Sequence, residues 1–239
     1  MQVGLDGLAV ATAKGTAGLS NLTLQELYYA LAKTPFGKPN PTKTWKDVNS
    51  KYPALPIRIY GPPTTSGTRS SIEDLLMDPG CLTSGAMQAL KKANEPKYNA
   101  VCKGIREDGA YIVAGENDNL IVQKLVANAG TVGLFGYSYL EENADKLKGI
   151  SVNGVAPSYA TISSFQYPGA RALYIYVKNA HLNAIPGIRQ LVAEYAREGT
   201  FGARGYLISA GLIASPDAVR SRAAKFATSM TPMTAAGLK

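Results

Sequence analysis

The chain has 239 residues, 46% of them hydrophobic and 18% charged, a balance that supports a buried core in one large domain or two small lobes. No run of about 18 apolar residues occurs, which excludes a membrane-spanning helix. The formal charge of +8, from 25 Lys and Arg against 17 Asp and Glu, favours anionic partners. The basic residues are scattered, however, with no block and no stripe interleaved with aromatics. They read as a solvated face, and no nucleic acid partner is expected.

In chain order, residues 3–12 read as a β-strand. The opening lacks a basic segment and a cleavage site after an apolar run, so it is not a signal peptide. It reads as a strand already in progress, as in a processed or truncated chain. Thr23 and Glu26 form a capping box that opens an amphipathic helix to about Lys33. Residues 34–54, rich in Pro, Lys and Asn, read as an irregular loop around Trp45, and 56–60 as a short strand. A Gly/Pro/Thr/Ser turn leads into a helix from Gly67 to Met77. Helical signals follow at 84–93, a turn and strand between Ile105 and Ala114, and a helix over 118–128 announced by Asn117 to Asn119. Residues 131–137 are a buried strand, 149–155 another, and 158–164 a helical turn. Residues 171–178 are the strongest strand pattern, and Pro186 opens a helix to about Glu198. Strands alternating with helices predict an α/β fold.

Cys81 and Cys102 are the two cysteines. Without nearby His or a second pair they make no zinc site, and no Cys-x-x-Cys motif is present. A disulfide or two buried thiols remain. The polar, Lys-rich segment between them favours the disulfide, which implies an oxidising compartment and contributes roughly 3 kcal/mol through loop-closure entropy. No metal and no cofactor are expected.

The sharpest local feature is Gly61-Pro-Pro-Thr-Thr-Ser-Gly-Thr-Arg69, linking a strand to a helix. Ser66, Gly67 and Thr68 stand at the helix N-terminus, where free backbone N–H groups and the helix dipole favour an anion. Ser66 and Thr68 add hydroxyls, Gly67 allows close backbone approach, and Arg69 supplies a fork matched to phosphate oxygens. The alternative is a capped helix start with a surface Arg. A Walker A loop is a poor match, because five residues separate Gly61 from Gly67 and no Lys follows.

This nonapeptide resembles the phosphate loop of the phosphate-binding proteins of ABC-type phosphate transporters. Four further blocks are similar to that family in the same order: Gly4 to Val10, Asn21 to Tyr28, Gly133 to Tyr139, and Tyr167 to Lys178. The resemblance implies a type II periplasmic binding fold, two-lobed and hinged by two crossing strands, with the anion between the lobes. Residues 1–166 then form the second, ligand-binding lobe with the entering hinge strand. Residues 167–239 form the returning strand and the C-terminal helices that pack on the first lobe. The implied ligands of phosphate are Ser66, Gly67 and Thr68, with Arg69 as charged partner; in some relatives the binding Arg precedes the Ser by four positions, here Pro62.

The family's first-lobe loops, with an Asp that accepts the phosphate proton, are not found before Gly4. The chain is therefore expected to carry half a site, to bind phosphate weakly by itself, and to self-associate through the surface the first lobe leaves. The implied role is capture of inorganic phosphate in the periplasm for a membrane permease, without catalysis. The alternative is a lobe-derived interaction protein for a polyanion or protein partner. A hydrolase using Ser66 is disfavoured: no base is evident nearby, His181 is the single histidine, and no Gly-x-Ser-x-Gly elbow exists. His181 reads as a surface residue, and Asp118 as a helix cap rather than an acid/base partner of Glu116. Arg106, Glu107 and Asp108 read as a structural salt-bridge group. Tyr28, Tyr29, Tyr174 and Tyr176 read as core or inter-lobe packing rather than a base-stacking platform.

Overall fold

The computed structural model of the protein describes residues 1–233. They are mixed α/β and divide into two compact units. One is Gly7–Thr161 with Phe165–Ala170; the other is Met1–Asp6, Ile162–Ser164 and the chain from Arg171 onward. No helix among the described residues is long and apolar enough to cross a membrane.

The larger unit is built on a mixed sheet. Its strands are β1 (Gln2–Ala13, entering the unit at Gly7), β3 (Ile59–Gly61), β4 (Tyr111–Val113), β5 (Val132–Gly136) and β6 (Leu147–Gly149), in the order β4-β3-β5-β1-β6. A short parallel pair, β2 (Asn21–Leu22) and β7 (Ser151–Val152), stands apart. Strand β3 runs parallel to β4 and to β5, whereas β1 runs antiparallel to β5, from Leu8 opposite Gly136 to Thr12 opposite Val132, and to β6. Central position explains why β1 is apolar on both faces: Leu8, Ala9, Val10 and Ala11 are all buried. Helices Leu24–Leu31 and Asp118–Ala127 add Leu27, Tyr28, Leu31, Ile121 and Leu125 to the core.

Helix Leu24–Leu31 begins with the Thr23–Glu26 capping box that the sequence signals. Other boundaries differ from the sequence reading. Residues 34–54 are not wholly irregular: Thr44 and Asp47 form a second capping box that starts one helical turn, Trp45–Val48, and Trp45 is fully buried. The helix from Gly67 continues past Met77, through one wider turn, to Cys81. A further helix, Glu95–Cys102, opens on Asn94, whose side chain accepts the Lys97 N–H. The Cys81–Cys102 disulfide joins the ends of these two helices, with Cα atoms 5.6 Å apart. Arg106 is buried; it donates to Asp108, to the Thr42 and Ala30 carbonyls and to the Thr42 hydroxyl, while Glu107 pairs separately with Lys33.

In the smaller unit, Leu5 exchanges both backbone hydrogen bonds with Ile213, Met1 does the same with Ile175, and Arg171 binds the Asp6 carboxylate at 2.7 Å. The strand expected over 171–178 is shorter: β8 spans Ala170–Tyr174, pairs with β1, and gives way to a tight turn at Asn179–His181. A strand persists only where a neighbour takes its hydrogen bonds, and the last such bond runs from the Ile175 N–H to the Met1 carbonyl. Helices Ile188–Tyr195 and Asp217–Ser229 bury Val192 and Ala223. Arg220 is buried among the Glu198 and Asp217 carboxylates and the Ser215 carbonyl. The core-packing part of the expectation for Tyr174 and Tyr176 is corrected: their rings lie 6.1 Å apart but are exposed, at 52% and 69%. Tyr28 is fully buried, and His181 lies on the surface as read.

Candidate anion-binding site

Strand β3 ends at Gly61, and the chain turns through Pro62–Thr65 before the helix starts at Gly67. Gly61 is there because nothing larger fits: a Cβ at this position meets the Tyr111 hydroxyl at 2.3 Å. That hydroxyl donates to the Pro62 carbonyl at 2.7 Å and pins the first bend of the loop. Ser66 is the helix cap, with extended backbone (φ −82°, ψ 136°). Its Oγ accepts the Thr68 N–H at 3.2 Å, and its carbonyl accepts the Arg69 N–H at 3.0 Å.

The donors at this helix start are only partly used. Among the described residues the Gly67 N–H meets no acceptor, and a Cβ on Gly67 meets nothing within 4 Å. The Thr68 amide donates to the Ser66 Oγ, which leaves the Gly67 N–H as the unused donor of the two at the positive end of the helix. Ser66 and Thr68 are half-buried and Gly67 is exposed. Arg69 is buried at 9% exposure; its Nε donates to Glu73 at 3.1 Å, and its guanidinium lies 4.7 Å from the Tyr111 ring centre. Burial raises the Tyr111 phenol above its ordinary pKa, and the Arg69 charge pulls it the other way. Arg69 thus anchors the loop's base through Glu73 and Tyr111.

The parallel strands place three helix starts at one edge of the sheet: Gly67 after β3, Asp118 after β4, and Tyr137 after β5. The reading of Asp118 as a cap is corrected. Asn117 is the cap and accepts the Asn119 N–H at 3.0 Å; Asp118, one residue further, accepts the Gly136 N–H at 3.0 Å instead. A cap needs extended backbone, and Asn117 has it (φ −87°, ψ 108°). Glu116 accepts the Thr65 hydroxyl at 2.5 Å. Sequence reasoning missed this link, the Arg69–Tyr111 stack and the Asp118–Gly136 bond. No local pattern announces them, since the partners lie 51, 42 and 18 residues apart. No group of three or more His, Cys, Asp or Glu among the described residues is placed to hold a metal.

A mixed sheet with a donor-rich helix start at the carboxyl ends of its parallel strands defines an α/β binding-domain architecture. Residues 1–198 match the PBP superfamily domain, and the chain belongs to that superfamily. Protein SphX of Synechococcus elongatus is 34% identical over 185 residues, which are 74% of this chain and 45% of that protein. The phosphate-binding protein PstS of Staphylococcus saprophyticus is 28% identical over 199 residues, 80% of this chain and 50% of its own. The crystal structure of a possible phosphate binding protein from Planctomyces limnophilus matches with a TM-score of 0.65 and 27% identity, over 97% of this chain and 72% of that one. The chain spans about half the length of the curated relatives it matches.

Proposed function

We propose that this chain contributes one half of the binding site of a solute-binding protein that captures inorganic phosphate for ABC-transporter uptake. The observation that carries the reading is the helix start at Ser66–Thr68. An unused Gly67 N–H stands there beside the Ser66 and Thr68 side chains at the positive end of a helix, which suits an oxyanion. The Arg69 guanidinium, held at the base of the loop, adds positive charge next to it. Relatives named as phosphate-binding proteins support the choice of anion.

In this reading residues 1–166 are the ligand-holding lobe with its entering strand. Residues 167–239 return to a first lobe, and a membrane permease receives the phosphate. The Cys81–Cys102 disulfide supports an oxidising location, the periplasm or cell exterior. The second reading, an interaction protein without transport activity, is favoured by one feature: the adjacent exposed rings of Tyr174 and Tyr176 in the smaller unit, which also suit self-association.

Titration with sodium phosphate at constant ionic strength, followed through the Gly67 and Thr68 amide resonances, separates the readings. Half a site gives millimolar, saturable shifts at these two amides that chloride does not reproduce, and Ser66→Ala with Thr68→Val abolishes them. No saturable shift at Ser66–Arg69 rejects the phosphate assignment. Micromolar affinity rejects the half-site.

A further inference from the structure

After β3 the chain leaves toward β4 at the sheet edge; after β5 it leaves toward β6, on the other side of β1. Connections that diverge from neighbouring parallel strands open a crevice at the strands' carboxyl ends. The Ser66 loop follows the end of β3 and the Gly136–Tyr137 turn the end of β5. The connection from β4 to β5 has to pass the end of β3, and it carries two carboxylates. Glu116 accepts the Thr65 hydroxyl at 2.5 Å, and Asp118 accepts the Gly136 N–H at 3.0 Å. One short segment therefore ties both turns, although they are far apart in sequence.

We propose that Glu116 is a positioning residue for anion binding with two opposed effects. Its carboxylate oxygen holds the loop through Thr65, and its negative charge beside the helix start lowers the affinity for the anion. The inference rests on the anion-binding reading of Ser66–Thr68. Thr65 immediately precedes the Ser66 cap, so the rotation of its backbone sets where the Ser66 Oγ and the Gly67 N–H point. Without the bond to Glu116, the exposed Thr64–Thr65 part of the turn is held by the Ser66 N–H to the Pro63 carbonyl, 3.1 Å. The bond also removes the Thr65 hydroxyl from the set of donors an anion can use. Glu116 is exposed, so the repulsion acts through water and is modest, about threefold in affinity.

The two effects separate by substitution. Glu116→Gln keeps an acceptor for Thr65 and removes the charge; Glu116→Ala removes both; Thr65→Val removes only the hydroxyl. Amide hydrogen exchange of residues 64–68 is measured without ligand, and phosphate affinity by the amide titration. Exchange is expected to rise about fivefold in Glu116→Ala and in Thr65→Val, and no further in the double variant, because both lose the same bond. Glu116→Gln is expected to keep the exchange of the unmutated chain and to tighten phosphate binding about threefold. Unchanged exchange in Thr65→Val and Glu116→Ala overturns the positioning role, as does a double variant whose effects add. Unchanged affinity in Glu116→Gln overturns the charge role. An unmutated chain without phosphate-induced shifts rejects the anion-binding reading and the charge role with it, while the ligand-free exchange still decides the positioning role.

Discussion

The two units of the chain solve the packing problem differently. In the larger unit a mixed sheet is covered by helices, large side chains such as Trp45, Tyr28, Tyr98 and Phe135 are fully buried, and a disulfide closes two helices. In the smaller unit a buried Arg220 with its carboxylate and carbonyl partners shares the centre with a few apolar residues. Meanwhile Tyr174, Tyr176, Ile185, Leu191, Tyr206 and Met233 remain exposed. Apolar burial is the main favourable term in folding, so the larger unit is the one built to hold its shape alone. The proposed anion socket belongs to it. A socket made of backbone N–H groups works only if the loop behind it keeps its position, and the larger unit provides that.

The largest expected effect contrasts the two units directly. Phe135→Ala, at a fully buried position, is expected to lower the stability of the larger unit by about 3–5 kcal/mol. Leu191→Ala, on the exposed surface of the smaller unit, is expected to change stability by less than about 0.5 kcal/mol. Urea unfolding followed by tryptophan fluorescence reads the first, because Trp45 is the only tryptophan and lies in the larger unit. A costly Leu191→Ala would show that the surface is covered in solution. Next comes the disulfide: replacing Cys81 and Cys102 by serine is expected to cost the larger unit roughly 3 kcal/mol, while hydrogen exchange of the helix Asp217–Ser229 stays unchanged. Loss of protection in both units would erase the distinction between them.

The smallest expected effect concerns pH. The hydrogen bond from Arg106 holds the Asp108 carboxyl below its usual range, with partial burial opposing it. A carboxyl whose folded pKa is depressed adds stability above its unfolded pKa of about 3.9. That stability is lost as pH falls through the lower folded value. Asp108→Asn is therefore expected to flatten the acid limb of the stability profile below about pH 4 and to leave its shape above pH 5 unchanged. An identical acid limb in the variant would show that the Arg106–Asp108 pair has no part in the larger unit's stability.

Much of the site could be read locally. Ser66, Gly67 and Thr68 announce a capped, donor-rich helix start because capping is a short-range affair between a side chain and amides two or three residues ahead. The Thr23–Glu26 capping box and the apolar run of β1 are legible for the same reason: period and cap are written in consecutive residues. Asn94, Glu95 and Pro96 carry an equally local helix-start signal, which sequence reasoning passed over. The roles of Arg69 and Asp118 were not local. Arg69 is drawn into the larger unit by Glu73 and the Tyr111 ring, and Asp118 is turned toward Gly136 by a strand pairing that no neighbouring residue encodes.

By itself, then, the sequence determined an α/β chain with a likeness to phosphate-binding proteins, the position of the socket on a helix start, and two cysteines poised to pair. Hydrophobic period, capping chemistry and turn residues act over a few positions and need no partner. Only the tertiary structure decided that Tyr174 and Tyr176 stay exposed, that β8 stops at Tyr174, and that Glu116 accepts from Thr65 and Asp118 from Gly136. Those outcomes depend on which strands become neighbours, and strand order is set by contacts between residues dozens of positions apart.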